Sequence, residues 1–439
     1  MAFAYDAGDK PTVAVIGGGI VGILVALKFQ RSGYKVIVVD RGSKEARCSF
    51  GNAGSLSPGS VAPLGMPGVI AKVPSMLFAP AAPLKIQPRY AVQALPWLMR
   101  FVFASSQRRV QRISHALSGL LSDSIELYTA ILRSINAQDI IQRRGQLQLY
   151  PSVDARRTDA SVWQLRRDRG VTVEEISREE IRQLEPSIGP RYACGIYLPN
   201  EGMVTDPARL VDVLTEHFVA DGGTLIEEGV EGFGGEGKRA SHLRTSGERV
   251  VADSYVVAAG AWSRELARQA GDDVPLVTQR GYHITLPHAG IALSRPVVAA
   301  DRKYFVSPME MGIRVAGTVE FDSLDAPPDD RRVKALADAV PELLPGIDVG
   351  GASSWMGHRP CMPDSLPVID RSQRFANVFY AFGNGHLGLT GAPKMAELVV
   401  AMATDRTPGM DLRPFRASRF ELLHRTGPRS EEGRSLERA

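Results

Sequence analysis

The stretch VAVIGGGIVGILVALKF (13–29), followed by VIVVD (36–40), constrains this chain more than any other part of it. It reads as a strand, a tight glycine turn, a helix, and a second strand that ends in an acid. Gly17, Gly19 and Gly22 fill the three glycine positions of a dinucleotide fingerprint. The first permits the sharp turn, the second lets backbone approach a pyrophosphate, and the third lets the helix press on its sheet. The helix N-terminus offers N–H groups and a partial positive charge to that pyrophosphate. Asp40 stands where an acid binds ribose hydroxyls. A glycine pattern alone is a weak signal, but here the strand, the helix and the acid supply the context that the mechanism demands. The prediction is a bound adenine dinucleotide at the centre of the chemistry.

With 439 residues, 44% hydrophobic and 23% charged, the chain can build two domains with substantial cores. A formal charge of +4 gives no case for nucleic-acid binding. Cys48, Cys194 and Cys361 are far apart and form no Cys-x-x-Cys pair, which argues against a disulfide framework, an iron–sulfur cluster and a cysteine-built zinc site. Reduced thiols in the cytoplasm are the simplest expectation. Residues 1–10 are short and polar and do not read as a signal peptide. Residues 61–103 are apolar yet broken by prolines from Pro63 to Pro96, so they cannot form one spanning helix. Two expectations stand there: a long loop over the cofactor, or a surface that docks on a membrane or partner.

Along the chain, 105–135 suggests one long amphipathic helix, and QLQLY (146–150) alternates like a strand. Residues 154–169 and 177–184 read as helical, and a further helix starts near Asp206, a good N-cap with Pro207 behind it. Strands follow at 224–233, 241–247 and 249–263, the last running into Ala258-Ala259-Gly260-Ala261-Trp262-Ser263, whose small residues let backbone lie near a ligand. YFVSP (304–308) and IRVAG (313–317) are short strands, 330–344 is a helix, and 377–404 is strand, glycine turn and helix. Dinucleotide-type segments thus alternate with a strand-rich insertion, and the cofactor domain is expected to be discontinuous.

Three further motifs carry chemistry. CSFGNAGSLSPG (48–59) could hold a pyrophosphate or ring with its N–H groups and with Ser49 and Asn52; a plain turn-rich loop is the alternative. GHRPCMPDSLPVID (357–370) places Arg359 beside stiffening prolines, and an arginine offers a planar fork to a carboxylate; an ordinary surface arginine is the alternative. FGNGHLGLTG (382–391) opens a helix whose N–H groups and dipole could stabilise an electron-rich ring; a structural glycine turn is the alternative. RGYH (280–283) and Tyr304 add His283 and Tyr282 as second-rank contacts, with ordinary strand positions as the alternative.

Taken together, VAVIGGGIVG, GNAGSLSPG, NEGMVTDPARL (200–210), VVAAGAWS, RPCMPDSLPVID and FGNGHLGLTG resemble the D-amino-acid oxidase superfamily of FAD enzymes over nearly the whole chain, nearest to its bacterial D-amino acid dehydrogenase branch. The resemblance implies an α/β two-domain fold: a Rossmann-like FAD-binding domain of the glutathione reductase type, plus an antiparallel-sheet substrate domain. It divides the chain into 1–85, 195–273 and 352–425 for FAD, 86–194 and 274–351 for substrate, and a flexible tail at 426–439. It implies noncovalent FAD, with Cys361 unattached. Gly17, Gly19, Ile20, Val21 and Gly22 would surround the pyrophosphate, and Asp40 and Arg41 would sit at the adenosine ribose. Ser49, Asn52, Ala53 and Gly54 would approach pyrophosphate and flavin, and Val230 would meet adenine. Ala259, Gly260 and Trp262 would pack along the dinucleotide. Gly383, Gly385, His386, Leu387, Gly388, Leu389 and Thr390 would line the flavin. Arg359 would grip the substrate carboxylate while Cα–H points at flavin N5 for hydride transfer. Tyr304, His283, Tyr282 and His386 complete the expected substrate site.

The expected activity is oxidative deamination of a D-amino acid, with a small or cyclic one such as D-proline or cis-4-hydroxy-D-proline as the first guess. The expected partner is a quinone or other electron-transfer acceptor. An oxygen-using D-amino acid, glycine or sarcosine-type oxidase is the first alternative. A flavin-bearing subunit of a larger complex is the second. The expected location is the cytoplasm, with peripheral contact on the inner membrane as the variant that segment 61–103 suggests.

Overall fold

The computed structural model describes residues 10–68 and 84–421. The tail expected at 426–439 and residues 69–83 of the proline-broken segment lie outside the described residues. In chain order the elements used below are β1 (Thr12–Ile16), α1 (Ile20–Arg31), β2 (Lys35–Asp40), α2 (Ala91–Ala104), α3 (Gln107–Leu121), α4 (Ser124–Arg133), β3 (Gln146–Tyr150), α5 (Ala160–Arg167) and β4 (Cys194–Leu198). There follow α6 (Pro207–Ala220), β5 (Thr224–Glu227), β6 (Ser254–Val257), β7 (Val277–Leu286), β8 (Val297–Ala299), β9 (Tyr304–Met309), β10 (Gly312–Phe321), α7 (Asp330–Leu343), β11 (Ser353–Cys361), β12 (Val368–Arg371), β13 (Val378–Phe382) and α8 (Gly388–Ala403).

The first sheet has six strands in the order β5-β2-β1-β6-β13-β12. All neighbours are parallel except β12 against β13. A parallel sheet covered on both faces needs strands apolar on both sides, which is why β1 and β13 are almost continuous buried apolar runs. α1 is buried nearly all round, packed with α8, α3, α4 and α6 in one core that includes Phe29, Leu117, Tyr128 and Phe218. Asp206 caps α6 as expected, its carboxylate accepting from the Ala208 and Arg209 N–H groups.

The second sheet is mixed, with nine strands. Its main path is β11-β7-β10-β9-β8-β3-β4 and then Glu174–Ser177, while Leu84–Ile86 pairs with β10. Most neighbours are antiparallel, but β8 lies parallel to β3 and Leu84–Ile86 parallel to β10. The fold is therefore the expected two-part α/β architecture, with a sheet for the ligand that is not purely antiparallel. α7 covers one face of this sheet through Leu336, Val340 and Leu343.

Local readings differ from the structure in several places. The strand expected over 224–233 is two, Thr224–Glu227 and Val230–Gly234, in different sheets, and that over 249–263 is only β6 before a turn and a helix from Ser263. The single helix expected over 105–135 is two, α3 and α4, parted at Ser122–Asp123. The split lets both lie against α8, each by its own apolar stripe. Residues 154–169 likewise break into Val153–Arg157 and α5. The 61–103 segment is not all loop, because 91–104 is helical with Pro96 inside it. Pro96 lies on the exposed face, where the carbonyl it leaves unpaired meets solvent rather than core.

The strands bear on the domain division. β4 and β11 fall in segments assigned to the cofactor part, yet both pair within the mixed sheet. Helices α3 and α4 fall in a segment assigned to substrate, yet their side chains fill the core beside α1. We propose boundaries that follow these contacts, near residues 200 and 362, with 107–133 joined to the cofactor domain.

Candidate active site

Two cavities of about 450 Å³ each lie between the sheets, and Cys48 and Gly385 line both. The first is built on the glycine turn. Gly17 has φ +109°, and an added Cβ there would lie 2.5 Å from the Ala258 carbonyl oxygen, so only glycine fits. Gly22 does not reach the cavity; it lies under the turn, where a Cβ would sit 1.8 Å from the Gly17 oxygen. Gly19 is open by contrast, since a Cβ would meet only Ser49 Oγ, at 3.4 Å. This is the space that a phosphate needs beside the start of α1. Ile20 and Val21 line it from the first helical turn, and Ser49 Oγ accepts from the Ile20 N–H at 3.0 Å. Val230, Ala259, Gly260 and Trp262 form the far wall, with the Arg41 guanidinium 3.9 Å from the Trp262 ring centroid.

Asp40 lines the same cavity, but its carboxylate already has partners. It accepts from the Gly18 N–H at 2.6 Å, the Gly42 N–H at 3.1 Å and Arg47 at 2.8 Å. A ribose hydroxyl there would share the acid with Arg47. The first turn of α8 enters from the other side through Gly388, after the turn at Gly385 with φ +53°. Two helix N-termini thus face one elongated cavity, which suits an anionic dinucleotide.

The second cavity lies under β7 and β10. Arg359 on β11 reaches into it across Gly281, and its only hydrogen bond among the described residues is a long one, 3.5 Å, to the Thr318 oxygen. No carboxylate lies within ion-pair distance of it among the described residues. A Cβ on Gly281 would come within 2.3 Å of the guanidinium carbon. Because that group is the mobile end of a long side chain, Gly281→Ala is expected to leave the fold intact and push Arg359 aside. The expected result is a KM for carboxylate substrates raised about 10-fold, the loss of one charged hydrogen bond at the low end; an unchanged KM would show that Arg359 has room to spare.

His283, Tyr282, Tyr304 and His386 all line this second cavity, as do Asn52, Ala53, Leu387 and Thr390. The two tyrosines do not offer their hydroxyls to it. Tyr282 Oη donates to Glu320 at 2.6 Å and accepts from the Asp329 N–H, while Tyr304 Oη donates to the Ala339 carbonyl at 3.0 Å. Their contribution is ring surface. His283 Nδ1 donates to the Gly51 carbonyl at 2.9 Å, and its ring stacks on Trp355. Burial lowers its pKa to about 3, so it stays neutral. His386 presents an exposed ring to the open cavity; desolvation, then Arg359 and Arg166, lower it to about 4. His358 turns away, bonding Thr278 at 3.0 Å. Gly54, Gly383 and Leu389 line neither cavity: Gly54 packs on the Val204 oxygen, Gly383 on Met362, and Leu389 is core.

Some residues that matter here escaped the sequence reading. Three consecutive carbonyls of the 51–53 turn are each held by the mixed sheet: Gly51 by His283, Asn52 by Arg314 Nη1 at 2.6 Å, and Ala53 by Ser307 Oγ at 2.7 Å. A buried arginine inside the strand IRVAG was the one visible hint. Thr318, at the cavity wall, has φ +55° and a buried hydroxyl without a partner among the described residues; strain of this kind gathers at functional sites. Cys48 and Cys361 are both pushed up to about 12 by burial, which keeps the thiols neutral and poorly nucleophilic.

Residues 12–402 match the family model described as DAO, FAD dependent oxidoreductase. A protein named D-amino-acid oxidase from Bradyrhizobium diazoefficiens is 35% identical over 93% of this chain and 98% of its own length. A D-amino acid dehydrogenase from the same organism is 29% identical over 94% of this chain and 100% of its own. In structure, glycine oxidase from Geobacillus kaustophilus aligns over 93% of this chain and 99% of its own with TM-score 0.72 at 19% identity. L-Proline dehydrogenase from P. horikoshii aligns over 94% and 98% with TM-score 0.71 at 18% identity. These last two likenesses speak to the fold alone.

Proposed function

This chain belongs to the DAO family of FAD-dependent oxidoreductases, and on that premise we propose that it oxidises a D-amino acid whose α-carboxylate is held by Arg359. The first cavity fits FAD: open space at Gly19, two helix N-termini and an acid at the ribose position. Bound there, FAD supplies a two-electron acceptor, so that an amino acid losing its Cα–H and one N–H becomes an imino acid, which water hydrolyses to a 2-oxo acid and ammonia. The observation that carries the reading is Arg359, a guanidinium with no acid partner among the described residues, in the cavity that adjoins the cofactor cavity at Cys48 and Gly385. A bidentate fork fixes a carboxylate in two dimensions. With neutral histidines around it, the site contributes positioning and exclusion of water rather than proton transfer.

Two readings of the acceptor are favoured by different observations. An oxygen-using oxidase is supported by the higher identity to the relative named an oxidase. A dehydrogenase that delivers electrons to a quinone is supported by α2. Val92, Leu95, Met99 and Phe103 form an exposed apolar stripe on that helix, with Val92 at 82% and Phe103 at 64% exposure. Arg108 and Arg112 follow it, both exposed, and Arg109 lies 3.5 Å over the Phe103 ring. Apolar residues beside arginines suit the surface of an anionic bilayer. Phe101 packs near Gly65, next to Leu64 at the mouth of the second cavity. We propose the dehydrogenase, with α2 resting on lipid. No helix among the described residues is long and apolar enough to cross a membrane.

Anaerobic mixing of the purified protein with D- and L-amino acids, following flavin absorbance, tests the core of this reading. Bleaching by D-amino acids is expected, and a screen that bleaches nothing would reject it. Hydrogen peroxide release in air at the rate of substrate loss would select the oxidase. For the membrane contact, flotation with phosphatidylglycerol vesicles is expected to carry the protein up and Leu95→Glu with Phe103→Glu to abolish this; equal flotation with pure phosphatidylcholine would leave the arginines without a role.

A further inference from the structure

The second cavity holds more positive charge than one α-carboxylate requires. Arg359, Arg166 and Lys303 line it, and no aspartate or glutamate does. Arg166 comes from α5 on the far side of the mixed sheet from β11 in strand order, so the two guanidiniums reach the cavity from separate elements. Both act on His386, which places that ring between their fields. Arg166 has no hydrogen bond or ion pair from its guanidinium among the described residues, and its Nε is buried without a partner. Its one close neighbour is the Trp163 ring, 4.9 Å from the guanidinium carbon.

The acids nearest to Arg166 do not satisfy it. Asp159 accepts from the Tyr150 hydroxyl at 3.1 Å and sits 3.9 Å from Lys303. Glu201 accepts from the Gly59 N–H at 3.1 Å, and burial raises it to about 7, so it is only partly charged at neutral pH. Arg166 is half-buried, and a cation partly withdrawn from water is stabilised when an anion meets it. Buried Arg280 is met by Glu320 and Asp322, and half-buried Arg295 by Glu185, while buried Arg314 donates to the Asn52 carbonyl and the Thr285 hydroxyl. Arg166 has neither kind of partner among the described residues, and it opens onto the substrate cavity.

We propose that the substrate is a dicarboxylic amino acid, D-aspartate or D-glutamate in class, with Arg359 on the α-carboxylate and Arg166 on the side-chain carboxylate. This rests on the reading of Arg359 above. It replaces the small or cyclic side chain expected from the sequence, because D-proline would leave Arg166 with no anion. Lys303 adds a third positive charge at the Tyr304 side of the cavity, and each site carboxylate finds a cation.

The test uses the FAD-loaded enzyme. In wild type, kcat/KM for D-glutamate or D-aspartate should exceed that for D-glutamine or D-alanine. In Arg166→Gln this ratio should fall by at least about 10-fold, the loss of one charged hydrogen bond, and Arg166→Lys should recover part of it. Calorimetric titration with glutarate and butyrate gives a readout apart from turnover: glutarate should bind more tightly, and Arg166→Gln should remove the difference. If Arg166→Gln fails to fold, the wild-type panel and Arg166→Lys still decide. Turnover of D-alanine or D-proline in preference to the acids would overturn the proposal and spare the oxidation reading. Selective glutarate binding lost in Arg166→Gln, with no amino acid oxidised, would sink the oxidation reading and keep the acidic ligand.

Discussion

Arg359→Ala is expected to lower kcat/KM for amino acids by about 100-fold, within the span of a charged hydrogen bond to a carboxylate, while the protein still purifies yellow. The residue makes one long hydrogen bond and no ion pair among the described residues, so its removal costs the fold little. On the proposed function, what it removes is the fork that fixes the substrate, and with it the orientation of Cα–H. The loss should appear in kcat as well as KM, because a misplaced donor also reacts slowly. Amines without a carboxylate should be affected far less. Steady-state kinetics on both substrate types, with the visible spectrum of the variant as control, check this. A variant with wild-type turnover of carboxylate-bearing amines would remove Arg359 from the site.

Gly22→Ala should have the larger effect on the protein itself. Its Cβ would lie 1.8 Å from the Gly17 oxygen and 3.0 Å from the Gly17 carbon, both backbone atoms of the turn. Neither can swing aside as a side chain can. Either α1 lifts off β1 or the turn opens, at a cost of roughly 3 kcal/mol, the upper end for overpacking. The expected result is a protein that melts lower and retains little FAD. Gly19→Ala is the matched control: its Cβ meets only Ser49 Oγ, at 3.4 Å. That variant should fold with near wild-type stability when stripped of FAD, and its affinity for FAD should still drop, because the methyl group occupies phosphate space. Melting curves and the FAD-to-protein ratio separate the two. If Gly22→Ala behaves like Gly19→Ala, the close approach of helix and turn is not what this glycine is for.

Much of the cofactor cavity was legible because it is local. Strand, turn, helix and acid lie within residues 12–40, and the chemistry of each is set by its neighbours in sequence. The Asp206 cap on α6 is local in the same way. The substrate side was harder. Tyr282 and Tyr304 could be placed near the cavity from their strands, but the direction of each hydroxyl depends on Glu320 and on the Ala339 carbonyl, both far along the chain. The helix across 105–135 was overextended, because a helical period does not record a break made to let two short helices lie against α8. Pro96 misled in the opposite sense, since a proline on a solvent-facing side of a helix breaks nothing that water cannot mend.

The amino-acid sequence alone pointed to the dinucleotide turn, to a discontinuous two-part architecture and to Arg359 as the proposed carboxylate anchor, because glycine sterics, apolar periodicity and a guanidinium's geometry belong to the residues themselves. Only the tertiary structure decided which charges go unpaired. Arg166 looks like any helix-surface arginine in the stretch WQLRRDRG. Its place on the cavity wall depends on α5 packing, through Trp163, against Tyr150, Cys194, Ile196 and Ala300, and the energy of a charge is fixed by what surrounds it rather than by what precedes it.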